Sequence, residues 1–199
     1  MSNTDCFFAP ESFEVPASGK TPGFILRSCR SGDGPARLEA TRGSYEHLRP
    51  WMPWAKEVET EEESERLVRM FRARWLLSED FAIAICDLDD RRFLGTCGYH
   101  LREGPLSVKI AEMGMWIRVE EAGKGLGTAA LRALLEWGFT EWPWERLSWR
   151  CDVENVASVR VAEKVGMVRE GTLRQQATLV GEARRDTACF AMLKSEWKR

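Results

Sequence analysis

The chain has 199 residues, with 29 Lys and Arg against 31 Asp and Glu and a formal net charge of −2. No basic field of the kind that non-specific nucleic-acid binding draws on is present. Hydrophobic residues at 44% and charged residues at 30% are those of an ordinary globular chain, and no stretch approaches the ~20 apolar residues that span a bilayer, which excludes the disordered and integral-membrane classes.

In chain order, Met1 to Pro10 carries Asp5 and only the short apolar run Cys6 to Ala9. It lacks the basic and apolar regions of a signal peptide, so a cytoplasmic protein is expected. Residues 1–12 are read as loosely ordered and residues 13–199 as a single domain, a length sufficient for a full core. Phe13 to Val15 and Phe24 to Cys29 read as short strands about a Gly- and Pro-containing turn. Asp33-Gly34-Pro35 supplies an N-cap and first-turn proline for a helix ending near Gly43 or Tyr45. Thr60 with Glu63 has the form of a capping box, and Leu67, Met70, Phe71 and Trp75 follow at helical spacing. Phe81 to Cys86 and Phe93 to Tyr99 flank a polar turn and predict a β-hairpin. Ser107 to Val119 reads as a further strand. A helix follows to about Glu141, then a strand from Arg146 to Cys151 and a helix from Asn155 to Val165 ending at Gly166. Met167 to Leu179 and Arg184 to Leu193 are expected to pair around Gly181. The sum is an α+β domain with a mixed sheet containing at least one parallel crossover.

Cys6, Cys29, Cys86, Cys97, Cys151 and Cys189 are dispersed without a CxxC pair and read as reduced thiols. His47 and His100 lie far apart without Cys or carboxylates at ligand spacing, so no metal is expected.

The run Gly123-Lys124-Gly125-Leu126-Gly127-Thr128 stands between a strand and a helix, where unpaired N–H groups and the helix dipole favour an anion. It is either a phosphate cradle or a tight strand-to-helix turn with no ligand. The spacing fits neither a P-loop, since Lys124 is followed by Gly125, nor a dinucleotide fingerprint, whose third glycine falls one position later.

Trp116-Ile117, the glycine run, Asn155 to Met167 and Glu170 to Arg174 together resemble the GNAT acetyltransferases, and most of all their RimJ/RimL-like branch. His47 to Trp54 is similar to the tryptophan-rich stretch of that branch. The resemblance covers about Phe24 to Leu193. It implies a mixed, mostly antiparallel central sheet of about seven strands with about four helices and a splayed parallel strand pair. It also implies acetyl-CoA as co-substrate, bound by the backbone of Ala122, Gly123, Lys124, Gly125, Leu126, Gly127 and Thr128 and by the strand at Trp116 and Ile117. Ala122 departs from the family's usual Gln or Arg.

By the same resemblance Asn155 and Ser158 stand near the pantetheine arm, with Ser158 a candidate general acid. Taken alone they are a helix N-cap and an exposed helical serine. The branch's glutamate base after Leu173-Arg174 is missing, Ala177 standing in its place. Glu112 is the substitute candidate base, or else a surface or paired glutamate. Arg174, Tyr45, Trp51 and Trp54 are candidate substrate contacts; the aromatic residues equally suit capping of the core. The acidic run from Glu57 to Glu65 either attracts a cationic amine or is a solvated helix start. The expected function is direct transfer of an acetyl group to a primary amine, a protein N-terminus or a small amine, by an enzyme that forms homodimers. The alternative is a non-catalytic acetyl-CoA-binding sensor.

Overall fold

The computed structural model describes residues 7–178 and 184–198. Among them one sheet of eight strands runs in the order β1-β2-β3-β4-β5-β6-β8-β7. The strands are β1 (Ser12–Val15), β2 (Phe24–Ser28), β3 (Phe81–Asp87), β4 (Phe93–His100), β5 (Ile110–Ile117), β6 (Arg146–Asp152), β7 (Val168–Thr178) and β8 (Arg184–Leu193). The helices are α1 (Gly34–Gly43), α2 (Tyr45–Leu48), α3 (Glu61–Leu76), α4 (Leu126–Thr140) and α5 (Val156–Lys164). Among the described residues no helix is long and apolar enough to cross a membrane. The eight strands described match the eight read along the chain, one more than the resemblance implies, and the described helices number one more than the sequence pattern gives, the extra being the single turn α2. Gly181 and Leu179 of the expected last turn lie outside the described residues. So do residues 1–6 of the N-terminal segment, whereas Phe7 and Ala9 pack on the core.

All neighbouring strands pair antiparallel except β5 and β6, which are parallel and joined through α4. α4 buries Leu126, Ala130, Leu131, Leu134 and Trp137 against the sheet. A second cluster contains Ala40 of α1, Leu48 of α2, Val68 of α3, Phe93 and Trp116. Most tryptophans belong to the core: Trp142 packs edge-on to Phe81 at 4.8 Å and lies stacked with Trp144 at 5.9 Å. Such aromatic pairs each contribute about 0.5–1.5 kcal/mol beyond their area.

Three local readings change. Asp33 precedes α1 but does not cap it with its side chain, because both carboxylate oxygens, at 2.8 Å, accept from the guanidinium of buried Arg27. The strand expected from Ser107 to Val119 is trimmed to Ile110–Ile117, since Lys109 adopts φ +60° and single 3-10 turns flank it. In α3 the capping box forms as predicted, but the buried stripe is Ser64, Val68 and Trp75, which turns Leu67 and Met70 toward a cleft.

Candidate functional site

β5 and β6 pair only from Ile110↔Arg146 to Met113↔Trp149. Beyond that both strands continue unpaired with each other, β5 to Ile117 and β6 to Asp152, and the sheet opens as a wedge. At the far end of β5 the chain makes one 3-10 turn and enters the glycine loop. Gly123 and Gly125 have φ +74° and +95°, values that only glycine adopts without strain. Gly127 differs: it is helical, and a Cβ there would meet nothing nearer than Met115 Cε at 3.7 Å. Nothing internal to the fold requires glycine at that position.

The amides of Gly123, Gly125, Leu126, Gly127 and Thr128 have no hydrogen-bond partner among the described residues, and α4 carries no acidic residue in its first turn. Four of the first five loop positions, Ala122 to Gly125, are exposed, while the Leu126 side chain is buried and anchors the loop. These are bare donors at the positive end of a fifteen-residue helix, the arrangement that holds a phosphate. The exposed Lys124 ammonium lies 3.6 Å from the largely buried Glu121 carboxylate.

On the other side of the wedge Asn155 caps α5, its Oδ1 accepting from the Ser158 amide at 3.1 Å. Ser158 Oγ accepts from the Trp149 indole N–H at 3.1 Å, and its hydroxyl lies within hydrogen-bonding reach of the Cys151 thiol. Cys151 adjoins them, and burial pushes its thiol up; a thiol with a raised pKa is a poor nucleophile.

A cavity of about 840 Å³ extends from Asn155 and Ser158 across β5 to the face of α3. Trp116 and Gly114 form its floor, with Leu67, Met70 and Phe71 on one wall and Trp51, Met52 and Trp54 above. Trp54 packs on Trp116 at 5.9 Å. Trp51 lies 5.7 Å beneath the Arg185 guanidinium, and Arg185 pairs with buried Asp152 at 3.2 Å, so a contact bridges the cleft from the tryptophan segment to β8. Trp51 and Trp54 therefore line the cleft. Tyr45, half-buried on α2, does not, since its one-turn helix ends before the segment that crosses the cavity.

Arg174 is also displaced from the cleft. β7 departs from regular pairing between Leu173↔Thr187 and Ala177↔Arg185, with Gln175 at φ +52° and its amide donating to Asp186 Oδ1 at 2.8 Å. The bulge leaves Arg174 exposed and outside the cavity lining, while Ala177 lines it. Glu112 does reach the cavity, held at 3.1 Å by Arg102 Nε and at 3.5 Å by Arg150 Nε. Of the acidic run, Glu59 pairs with buried Arg37 at 2.7 Å, Glu63 closes the capping box, and Glu65 accepts from the amides of Gly32 and Gly34. Half the run is thus structural.

Sequence reasoning passed over His100 and Asp80. His100 Nδ1 lies 2.7 Å from Asp80 Oδ1, and its Nε2 approaches Gly114, where a Cβ would stand 3.1 Å away. The hairpin register was the available signal: Phe81 pairs with Tyr99, which sets the residues just beyond side by side.

The comparisons agree with this geometry. A family profile described as Acetyltransferase (GNAT) domain matches residues 24–168. The putative ribosomal N-acetyltransferase YdaF of Bacillus subtilis (strain 168) is 36% identical over 88 residues, 44% of this chain and 48% of that protein. The ribosomal-protein-serine acetyltransferase of Escherichia coli (strain K12) is 27% identical over 146 residues, 73% of this chain and 79% of that one. The structure of Mycobacterium smegmatis RimJ in complex with CoA-disulfide superposes with a TM-score of 0.83 at 25% identity, covering 96% of this chain and 90% of that one. The first of these matches spans about half the length of its curated relative. The chain belongs to the GNAT acetyltransferase family.

Proposed function

We propose that the protein transfers an acetyl group from acetyl-CoA to a primary amine, the α-amine of a protein N-terminus or a small amine, with both substrates bound together. One observation carries this: a helix N-terminus with five unpartnered amides opens beside a strand wedge whose inner end continues into a cavity large enough for an acceptor. The relatives' descriptions as acetyltransferases of ribosomal proteins support the same reading.

Acetyl-CoA supplies the activated acyl group as a thioester. Around it, Gly123 to Thr128 bind the diphosphate through main-chain N–H groups, and the free edges of β5 and β6 accept the pantetheine arm as a strand does in β-augmentation. Asn155 fixes the start of α5, and the Ser158 hydroxyl, steered by Trp149, donates to the departing sulfur. The edge amides of β5 polarise the carbonyl. Trp51, Trp54, Met70 and Phe71 exclude water from the acceptor and position its amine, which is the larger part of what a ternary complex contributes.

The test is release of free coenzyme A with peptide amides beginning Ser, Ala, Thr or Met and with spermidine and 2-phenylethylamine, beside calorimetric binding of acetyl-CoA. Turnover with at least one acceptor is expected. Tight binding with no turnover across the panel would replace the transferase by a sensor.

A further inference from the structure

His100 ends β4 with its ring fixed from one side. Because an ionised carboxylate only accepts, the bond from Nδ1 to Asp80 assigns the ring proton to Nδ1 and leaves the lone pair of the neutral imidazole on Nε2. Nε2 has no hydrogen-bond partner among the described residues. It sits over Gly114, where a Cβ would stand 3.1 Å away. Gly114 is the first residue of β5 beyond the last parallel pair, Met113↔Trp149, so the lone pair is presented where the wedge opens. His100 and Gly114 both line the cavity. The one other acid–base group on this stretch of β5, Glu112, has an oxygen held by each of two arginines.

We propose that His100, oriented by Asp80, is the catalytic base that removes a proton from the acceptor ammonium group; the proposal rests on the transferase reading above. An α-amine with a pKa near 8 is mostly protonated at neutral pH and has no free electron pair. A proton passes from the nitrogen to Nε2, and Asp80 stabilises the resulting imidazolium. The nitrogen pair forms the C–N bond to the thioester carbonyl carbon. The C–S bond breaks with its electron pair on sulfur, and the surplus proton on nitrogen reaches that sulfur through the Ser158 hydroxyl. The imidazolium then returns its proton to water, so the products are an amide, a thiol and one released proton. The charged groups facing the ring are Arg74 of α3, Glu79 and Asp80 before β3, Arg102 after β4 and Glu112 of β5, which brings Arg150 of β6 with it.

The chain has two histidines, so nitrogen-15 spectra of the His47→Gln protein report His100 alone. The Nδ1–H tautomer is expected, and an Nε2–H tautomer would overturn the proposal. In kinetics with the most reactive member of the panel, His100→Gln is expected to lower kcat/KM about 100-fold. It should remove the acidic limb of the pH profile and leave the Kd for acetyl-CoA unchanged. Asp80→Asn should lower the rate less and displace that limb, whereas Glu112→Gln should retain it. His100→Gln with wild-type rate and limb, or a limb lost in Glu112→Gln instead, would overturn the role of His100 while leaving the transferase intact. A wild-type protein inert toward every acceptor would overturn the transferase reading and this role together.

Discussion

Gly127→Ala separates what the fold needs from what the ligand needs. Position 127 is helical and a Cβ there meets Met115 Cε at 3.7 Å, Val161 Cγ2 at 3.8 Å and Ile117 Cγ1 at 4.0 Å, all ordinary contacts. Replacing glycine by alanine in a helix is worth up to about 1 kcal/mol, reduced here because 127 is in the first turn. For a chain of this size, 1 kcal/mol raises Tm by roughly 2–4 °C. The same methyl group projects between β5 and α5, where the proposed function brings the pantetheine arm and diphosphate close to the backbone. Overfilling a close-packed contact costs about 1–3 kcal/mol, or roughly 5- to 150-fold in Kd. Calorimetric unfolding without ligand and titration with coenzyme A measure the two effects on one protein sample. The expected outcome is opposite signs: an unchanged or higher Tm and weaker binding. A higher Tm with wild-type affinity would refute close ligand approach at this glycine.

Gly125→Val should fail differently, lowering Tm as well as affinity. The residue sits at φ +95°, costly for a branched side chain, and its Cβ would lie 2.9 Å from Thr21 Oγ1. Trp51→Ala removes the ring beneath Arg185, a contact of about 0.5–1 kcal/mol; steady-state kinetics should show a raised acceptor KM with an unchanged acetyl-CoA Kd, and unchanged KM would detach Trp51 from the acceptor. The Arg118 guanidinium beside Glu120 brings its carboxyl down from 4.5 to about 2. Since the folded value is depressed, the stabilisation is present above the ordinary carboxylate range and is lost as pH falls toward 2. Because Glu120 is largely solvated the effect is small: urea midpoints of Glu120→Gln and wild type should converge between pH 4.5 and 2, and a constant difference would contradict the pairing.

The hairpin β3–β4, the capping box of α3, the glycine loop and the Asn155 cap all rest on residues within one turn or one hairpin, and each was legible because backbone dihedrals and caps depend on near neighbours. The loop in particular combines two glycines that need positive φ with a third that the helix does not need, a pattern readable from type and spacing. Arg174 was not placeable in the same way: strand alternation gives each side chain a face only while register holds, and the bulge at Gln175 interrupts it. Leu67 and Met70 share apolar character with core residues, and only the rotation of α3 against the sheet shows that they line a cleft.

The amino-acid sequence by itself determined the family, the order of most elements and the glycine-rich turn that opens α4, because those are written in local pattern. Tertiary structure decided which side chains share the cleft: Asp80 with His100, Glu112 between Arg102 and Arg150, Arg185 over Trp51. These partners are distant along the chain or carried on different strands, and they meet only through register, bulge and helix rotation, which a chain read one position at a time does not contain.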